Sequence, residues 1–286
     1  MPKSAYHLFQ PVQRTSCVVF ASPHSGRDYP DSFVRRSVLD RQSIRSSEDA
    51  FVDQLFEAAP EFGAPLLCAG APRAYIDLNR SPEELDPALI EGARRSGHNP
   101  RVASGLGVVP RVVANGRAIY RGKLSMMEAE QRIDRYWRPY HAILLSLLND
   151  AHRQFGRAIL VDCHSMPREA LDGVARRNVK RPEIVLGDRF GAAAGTDVVD
   201  RIEAAFASAG LVVTRNAPFA GAYVTQAYGR PSRRQHAVQI EIDRSVYMDE
   251  KRVRPNANFE PFRDLLRQVI GEIVATGYDR MPLAAE

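Results

Sequence analysis

The chain has 286 residues, of which 44% are hydrophobic and 26% are charged. This balance excludes disorder of the whole chain, because disordered chains are poor in apolar residues and rich in net charge. The 39 basic and 34 acidic residues leave a net charge of +5, but the basic residues are scattered and form no stripe interleaved with aromatic residues, so we expect no nucleic-acid partner.

Short apolar or β-branched runs without polar alternation predict strands that are buried on both faces. Seven such runs lie at residues 17–22, 65–68, 74–78, 158–163, 183–186, 211–214 and 237–242. Helical patterns lie between or after them, at residues 47–59, 125–155, 196–209 and 258–276. This alternation predicts an α/β fold with a central, mostly parallel sheet flanked by helices. Because no linker rich in Pro, Gly or Ser interrupts it, we expect a single domain over residues 1–286.

Three local signals refine this prediction. The longest helix opens with Ser125 and Glu128 at the spacing of a capping box, and Pro139 is expected to kink it. Asn115-Gly116 predicts a hairpin turn. Residues 81–101 contain three prolines and predict a long polar loop, a kind of segment that is often functional.

The cellular setting is also suggested by the sequence. Apolar runs such as residues 17–21 and 142–145 fall well short of the roughly 20 residues that a membrane-spanning helix needs. Residues 1–13 contain no apolar segment of signal-peptide length. The three cysteines are odd in number and widely spaced, which fits buried thiols in a reducing compartment. We therefore expect a cytoplasmic protein with no membrane partner.

Reactive side chains follow several of the predicted strands, and ligands of an open α/β sheet bind beyond the carboxyl ends of its strands. His24 follows the first strand, Asn79 and Arg80 follow the third, and His164 follows the fourth. Glu241 lies inside the last strand, where an unpaired carboxylate would be costly to bury. These side chains are the first candidates for a functional site.

Two histidines and a carboxylate from separate elements, with an open fourth position, are the ligand set of a catalytic zinc ion. Glu48 and Asp49, at the start of the predicted helix 47–59, are candidates for the carboxylate. Water bound to such an ion is the nucleophile, and a nearby carboxylate that is not a ligand can take its proton, a role that Glu241 fits. Arg80 is suited to bind a substrate carboxylate.

The same residues also have purely structural explanations. A histidine after a strand is more often a loop residue bonded to the backbone. Glu48 and Asp49 in the first turn of a helix would be stabilised by the helix dipole without any function. Asp77 can form a local ion pair with Arg80, and Glu241 can pair with one of the arginines. Spacing alone leaves these alternatives open.

Short motifs recur in a definite order along the chain. The first are SPHSG at residues 22–26, SED at 47–49 and DLNR at 77–80. Later ones are IYRG at 119–122, VDCHSMP at 161–167, LGD at 186–188, FAGAYVT at 219–225, QIE at 239–241 and YMDE at 247–250. Together, from about residue 18 to residue 250, they resemble the N-formylglutamate amidohydrolase family.

The resemblance implies a fold similar to that of zinc carboxypeptidases and aspartoacylase, with a mixed central sheet and one zinc ion per chain. It implies that His24 and His164 are zinc ligands and that Glu241 is the general base. The family pattern has a single acidic ligand where this chain has Glu48 and Asp49. The spacing to Asp53 favours Asp49.

The resemblance also implies a substrate pocket. Asn79 and Arg80 would bind a substrate carboxylate, with Arg73, Tyr223 and Thr225 as further contacts. Arg121 would help to stabilise the oxyanion. Ala222 stands where the family pattern has the second glycine of Gly-Gly-Tyr.

We therefore expect a zinc-dependent amidohydrolase of amino-acid metabolism that cleaves N-formyl-L-glutamate or a closely related N-acyl amino acid, which is its small-molecule substrate. One alternative is a deacylase or amidase that acts on a different N-acyl amino acid or on a peptide. Another, of a different class, is a metal-free protein that binds anions or nucleic acid. The sequence leaves the oligomeric state open.

Overall fold

A seven-stranded mixed sheet forms the centre of the structure, a computed structural model that describes residues 1–94, 99–173 and 180–278. The strands are β1 Tyr6–Phe9, β2 Val18–Ser22, β3 Leu66–Ala69, β4 Ala158–Met166, β5 Ile184–Gly187, β6 Val213–Arg215 and β7 Gln235–Asp243. They lie in the order β1-β3-β2-β4-β7-β5-β6. A separate pair, β8 Met248–Asp249 and β9 Arg254–Pro255, is antiparallel.

The sheet is mostly parallel, as the sequence predicts. Strands β3, β2, β4 and β7 run parallel to one another, and β6 is parallel to β5. The edge strand β1 is antiparallel to β3, and β5 is antiparallel to β7. All residues of β2 and β4 are buried, which agrees with strands that are covered on both faces.

Helices surround the sheet. They are α1 Asp31–Arg36, α2 Val52–Leu55, α3 Pro100–Ala103, α4 Met126–Arg132, α5 Arg138–Phe155, α6 Thr196–Ser208, α7 Tyr223–Tyr228 and α8 Phe259–Ala275. The longest apolar faces belong to α5, α6 and α8, which bury them in the core. In the part of the chain that the structure describes, none of the helices has both the length and the apolar character that crossing a membrane requires.

The predicted long helix 125–155 forms as α4 and α5, joined by a π-helical turn at Ile133–Trp137. The side chain of Ser125 caps it by accepting a hydrogen bond from the Glu128 amide at 3.2 Å. The irregular turn directly precedes Pro139, which lacks the N–H that an ordinary helical hydrogen bond would need. The helix is therefore interrupted near Pro139 as expected, by a π-helical turn that precedes the proline.

Two predicted elements were wrong. Residues 74–78 are buried but form turns, in which the amides of Tyr75 and Ile76 bond to the Pro72 carbonyl. The helix predicted at 47–59 is reduced to α2, because Phe51 has a left-handed φ of 67° that ends any helix reaching it from Glu48. Strand β1 was not predicted.

The turn predicted at Asn115-Gly116 is present. Both residues have positive φ angles, 60° and 67°, as a type I′ turn requires, although only one antiparallel bridge flanks them. Of the predicted loop 81–101, residues 95–98 lie outside the described residues. The remainder is held in turns and the short helix α3.

Candidate active site

The candidate site lies at the carboxyl end of the parallel strands. His24 is in the loop after β2, and its carbonyl accepts a hydrogen bond from the Asp49 amide at 3.0 Å. His164 lies within β4, directly beside Glu241 of β7 in the parallel register. Register partners of neighbouring strands project to the same face, so the sheet itself sets His164 and Glu241 side by side.

Three buried side chains converge there. The Nδ1 atoms of His24 and His164 lie 3.4 Å and 2.9 Å from Oδ2 of Asp49. One ligand atom from each of the three residues can be chosen so that all lie within 4.8 Å of one another. Among the described residues, these three side chains form the cluster that could hold a metal ion, and they are the two predicted histidines and Asp49.

Glu48 does not join this cluster. Its carboxylate is bound by Arg45, with Nη2 and Oε1 2.8 Å apart, and by the Tyr29 hydroxyl at 3.0 Å. The chain turns between Glu48 and Asp49, so that adjacent residues project in different directions. The geometry therefore agrees with the choice of Asp49 from the sequence.

Each histidine also contacts a second carboxylate, through the ring nitrogen that does not face Asp49. Nε2 of His24 lies 2.7 Å from Oδ1 of Asp77, and Nε2 of His164 lies 3.0 Å from Oδ2 of Asp162. Because a carboxylate only accepts hydrogen bonds, each Nε2 donates to the carboxylate behind it, and each Nδ1 faces Asp49. A carboxylate behind a histidine is the usual arrangement around metal-binding imidazoles.

The Nδ1 atom of His24 is buried and has no hydrogen-bond partner. A buried nitrogen with a free lone pair is costly unless a cation or donor faces it. This atom, together with the neighbouring Asp49 Oδ2 and His164 Nδ1, makes a nitrogen and oxygen donor set that fits a divalent transition metal. The residues present therefore fit the ion that the sequence predicts.

Arg244 fixes the Asp49 carboxylate. Its Nη2 donates to Asp49 Oδ1 at 2.8 Å, and its other nitrogens reach Ser165 and the Ser46 carbonyl. Burial raises the pKa of Asp49, but the contacts of its carboxylate with His164 and His24 and the charge of Arg244 outweigh it and hold that pKa well below its usual range. Asp49 is therefore ionised and presents Oδ2 to the cluster.

The pKa of Glu241 is shifted in the opposite direction to that of Asp49. Burial raises its pKa to about 7, and the nearby charges of Asp49 on one side and of His164, Arg73 and Arg244 on the other do not cancel that effect. Gln239 donates to Glu241 Oε1 at 2.8 Å and leaves the second oxygen of the carboxylate available. A carboxylate that titrates near neutrality is suited to proton transfer.

A cavity of about 630 Å³ opens over these residues. The lining includes five apolar side chains: Leu106, Val112, Met166, Pro218 and Phe219. Four arginines also line the cavity: Arg73, Arg80, Arg101 and Arg244. A concave site with an apolar wall and a few charged groups is the usual form of a small-molecule pocket, and the arginines indicate an anionic ligand.

Asn79, Arg80 and Arg73 lie in this cavity as predicted, but Asn79 is already engaged. Its Oδ1 accepts from the Val224 amide at 2.7 Å, and its Nδ2 lies 3.5 Å from Asp162. Arg80 donates to the carbonyls of Leu106 and of Asn79. Asn79 therefore holds neighbouring segments together, and Arg80 is the member of the pair whose Nη2 makes no hydrogen bond to the described residues.

The structure does not bring three other predicted residues into the cavity. Arg121 is exposed and lies outside the cavity lining. Thr225 is fully buried and donates to the Ala222 carbonyl, and Tyr223 packs against Trp137 with ring centroids 5.9 Å apart. Tyr223 and Thr225 both belong to helix α7, in which Thr225 is buried in the interior and Tyr223 is half-buried.

The turn before α7 explains why Ala222 can stand where the family pattern has a second glycine. Gly221 has a φ of +107°, and a Cβ there would lie 2.5 Å from Thr225 Oγ1, so glycine is required. Ala222 has an ordinary φ of −118°, so an alanine side chain fits. Ala222 lines the cavity and donates its amide to Gln239.

The loop of Asn79 and Arg80 is supported from behind by the π-helical turn. Trp137 donates its indole N–H to the Arg80 carbonyl at 2.9 Å, and Nε2 of His141 lies 2.9 Å from the Leu78 carbonyl. Burial lowers the pKa of His141 to about 4, so the ring is neutral. The sequence does not distinguish His141 from other residues of the helix, because its partners Leu78 and Tyr228 are distant along the chain.

The chain is similar to known proteins over most of its length. The sequence profile of the N-formylglutamate amidohydrolase family matches residues 16–248. The chain belongs to this family. The matched range contains His24, Asp49, His164 and Glu241.

Individual members of the family align over nearly the whole chain. Two curated proteins named N-formylglutamate deformylase, from Pseudomonas putida and Pseudomonas aeruginosa, are each 29% identical over 92% of this chain and 94% of their own length. A crystal structure of N-formylglutamate amidohydrolase from Ralstonia eutropha JMP134 is 34% identical, with a TM-score of 0.88 over 95% of this chain and 98% of that chain. The fold class predicted from the sequence is thereby confirmed.

Proposed function

We propose that the protein is a zinc-dependent amidohydrolase that converts N-formyl-L-glutamate and water to formate and L-glutamate. The observation that carries this proposal is the convergence of the His24, Asp49 and His164 donor atoms beside Glu241, in a cavity lined by arginines. Family membership and the names of the two curated relatives support the choice of substrate.

His24 Nδ1, Asp49 Oδ2 and His164 Nδ1 are the atoms that would hold the metal. Two imidazoles and a carboxylate favour zinc among the common divalent ions, and three protein ligands leave a coordination position for water or substrate. A divalent ion held there supplies Lewis acidity, which polarises an amide carbonyl and lowers the pKa of water. Asp77 and Asp162 keep both imidazoles oriented with Nδ1 toward this point.

Glu241 moves the protons of the reaction. Its free carboxylate oxygen accepts a proton from the attacking water, and the same carboxyl group returns a proton to the departing nitrogen of glutamate. Hydrolysis then balances, because the water oxygen ends in formate and its two protons are shared between the products. Gln239 holds the carboxylate in place through this cycle.

Arg73 is the cation best placed to stabilise the oxyanion, the role that the sequence assigned to Arg121. It lines the cavity, and in the described chain its recorded side-chain hydrogen bond is the one from Nε to Asp77 at 3.0 Å. That contact fixes the guanidinium and leaves its Nη atoms for the carbonyl oxygen, which gains negative charge in the transition state.

Arg80 binds the α-carboxylate of the substrate. We expect Arg80→Lys chiefly to raise KM with little change in kcat, because a single ammonium cannot reproduce the planar guanidinium that is bound to two carbonyls. Steady-state kinetics with N-formyl-L-glutamate measure both constants. An unchanged KM would remove Arg80 from the substrate site.

The pKa of Glu241 predicts an acid limb in the pH profile. The base must be ionised, so kcat/KM falls as pH decreases through its pKa and is constant above it. A bound cation opposes the effect of burial, so we expect the midpoint between about 4.3, the ordinary value for glutamate, and about 7. Metal content is measured at each pH as the control, and a rate that is constant across this interval would contradict the assignment.

The direct test is turnover by protein loaded with zinc. Formate and L-glutamate should appear in equal amounts from N-formyl-L-glutamate, and a chelator should abolish the reaction until zinc is restored. N-acetyl-L-glutamate is the comparison substrate, since the apolar side chains that line the cavity would also accept a larger acyl group. Zinc binding without deformylation, together with hydrolysis of another N-acyl amino acid, would favour a deacylase of different specificity.

A further inference from the structure

Two of the four arginines in the cavity have no carboxylate partner in the described part of the chain. Arg73 pairs with Asp77 at 3.0 Å, and Arg244 pairs with Asp49 at 2.8 Å. No described carboxylate lies within 4.0 Å of the guanidinium of Arg80 or of Arg101. The charges of Arg73 and Arg244 are thus balanced within the protein, and those of Arg80 and Arg101 are available to a ligand.

Arg80 and Arg101 are neighbours through Leu106. The Leu106 amide donates to the Arg101 carbonyl at 2.8 Å, and the Leu106 carbonyl accepts from Arg80 Nε at 3.0 Å. All three residues line the cavity. The two arginines without a carboxylate partner are therefore linked through one segment of the cavity lining.

Helix α3, which carries Arg101, is fixed on both sides. The Asn99 side chain accepts from the amides of Arg101 and Val102, and Arg111 reaches the Ala103 carbonyl while its Nε binds Asp86 at 2.7 Å. These contacts hold the backbone and leave the exposed Arg101 side chain without a recorded hydrogen bond among the described residues. Arg101 is therefore presented to the cavity by a constrained backbone.

The two charges are close enough to affect each other. Burial lowers the pKa of Arg80, Asp77 opposes this effect, and Arg73 and Arg101 add to it by repulsion. Two like charges near each other in a cavity are unfavourable unless an anion lies between or beside them. One carboxylate can satisfy one guanidinium through a bidentate pair, so two adjacent guanidinium groups match a ligand with two carboxylates.

We propose that Arg101 is a specificity-determining residue that binds the second, side-chain carboxylate of the substrate, while Arg80 binds the α-carboxylate. This assignment rests on the proposed function and deepens it. The substrate class is then an N-acyl derivative of an amino dicarboxylic acid, and derivatives of neutral amino acids are poor substrates because they leave Arg101 without its partner.

The test compares two nearly isosteric substrates, N-formyl-L-glutamate and N-formyl-L-glutamine, for wild type and Arg101→Gln. We expect the variant to lower kcat/KM for the glutamate substrate by about tenfold or more, as for a lost charge-assisted hydrogen bond, and to leave the glutamine substrate unchanged. Arg80→Gln should lower kcat/KM for both substrates alike. Arg35→Gln, which removes an exposed arginine outside the cavity lining, is the matched control and should change neither.

An Arg101→Gln variant that retains the wild-type preference for the glutamate substrate would overturn the proposal, as would an equal loss for both substrates. Binding of glutarate and butyrate by calorimetry separates this failure from failure of the proposed function. Tighter binding of glutarate by wild type, lost in Arg101→Gln, supports the role of Arg101 even if neither formyl substrate is hydrolysed. Equal affinity for the two acids would contradict it.

Discussion

Glu241→Gln is expected to lower kcat by about 10²- to 10⁴-fold, the contribution of a positioned general base. Glutamine has nearly the same shape as glutamate but cannot accept the proton of the attacking water. The site around it should persist, since the remaining contacts of His164 and Asp49 do not involve Glu241. Steady-state kinetics with N-formyl-L-glutamate measure the loss.

Metal content is the control for this variant. Zinc bound by Glu241→Gln should equal that bound by wild type, because Glu241 is not one of the three converging ligands. The acid limb of the pH profile should also disappear from any residual activity. A variant that turns over at nearly the wild-type rate would exclude Glu241 as the base.

The pair Asp49→Asn and Glu48→Gln should differ sharply in metal affinity, although the residues are adjacent. Asp49 presents Oδ2 to both histidines, and an amide in its place loses the negative charge that a cation requires. We expect zinc affinity to fall by more than the roughly 10- to 100-fold that removal of an outer partner of a ligand costs. Competition with a chromophoric chelator measures the affinity.

Glu48→Gln is the matched control, because it makes the same chemical change one residue away. Its carboxylate binds Arg45 and Tyr29, so loss of its charge should affect that local contact and leave zinc affinity unchanged. Loss of zinc in Glu48→Gln, or normal affinity in Asp49→Asn, would show that the ligand has been assigned to the wrong carboxylate.

The sheet could be predicted because its central strands are buried on both faces and read as continuous apolar runs. Six predicted strands formed, with shifts at their ends. Residues 74–78 carry the same signal but form buried turns, in which the Asp77 amide bonds to the Val108 carbonyl and no strand lies alongside. Burial and strand pairing produce the same hydrophobic run, and only tertiary structure separates them.

The two candidate histidine ligands were predictable because strand ends converge at one edge of a sheet. The helix predicted around Asp49 was wrong, and the reason is a tertiary contact: the Asp49 amide bonds to the His24 carbonyl, and Phe51 takes a left-handed conformation. The local sequence favours a helix, but the hydrogen bond to His24 and the conformation of Phe51 prevent one from forming around Asp49.

The supporting residues were harder to find. Arg244 directly follows β7, so the strand-end criterion could have identified it beside His24. Gln239 could have been found by its spacing, since it lies two residues before Glu241 and shares its face of the strand. Arg121 was assigned from a motif alone, and a motif does not reveal that its side chain is exposed and outside the cavity lining.

The central claim is that His24, Asp49 and His164 hold a catalytic metal. Elemental mass spectrometry of the purified protein, and of His24→Ala and His164→Ala, tests this claim most directly. We predict close to one zinc per wild-type chain and loss of that zinc in both variants, with the fold retained by circular dichroism. Wild-type protein that binds no metal even after incubation with zinc would contradict the account and favour a metal-free anion-binding protein.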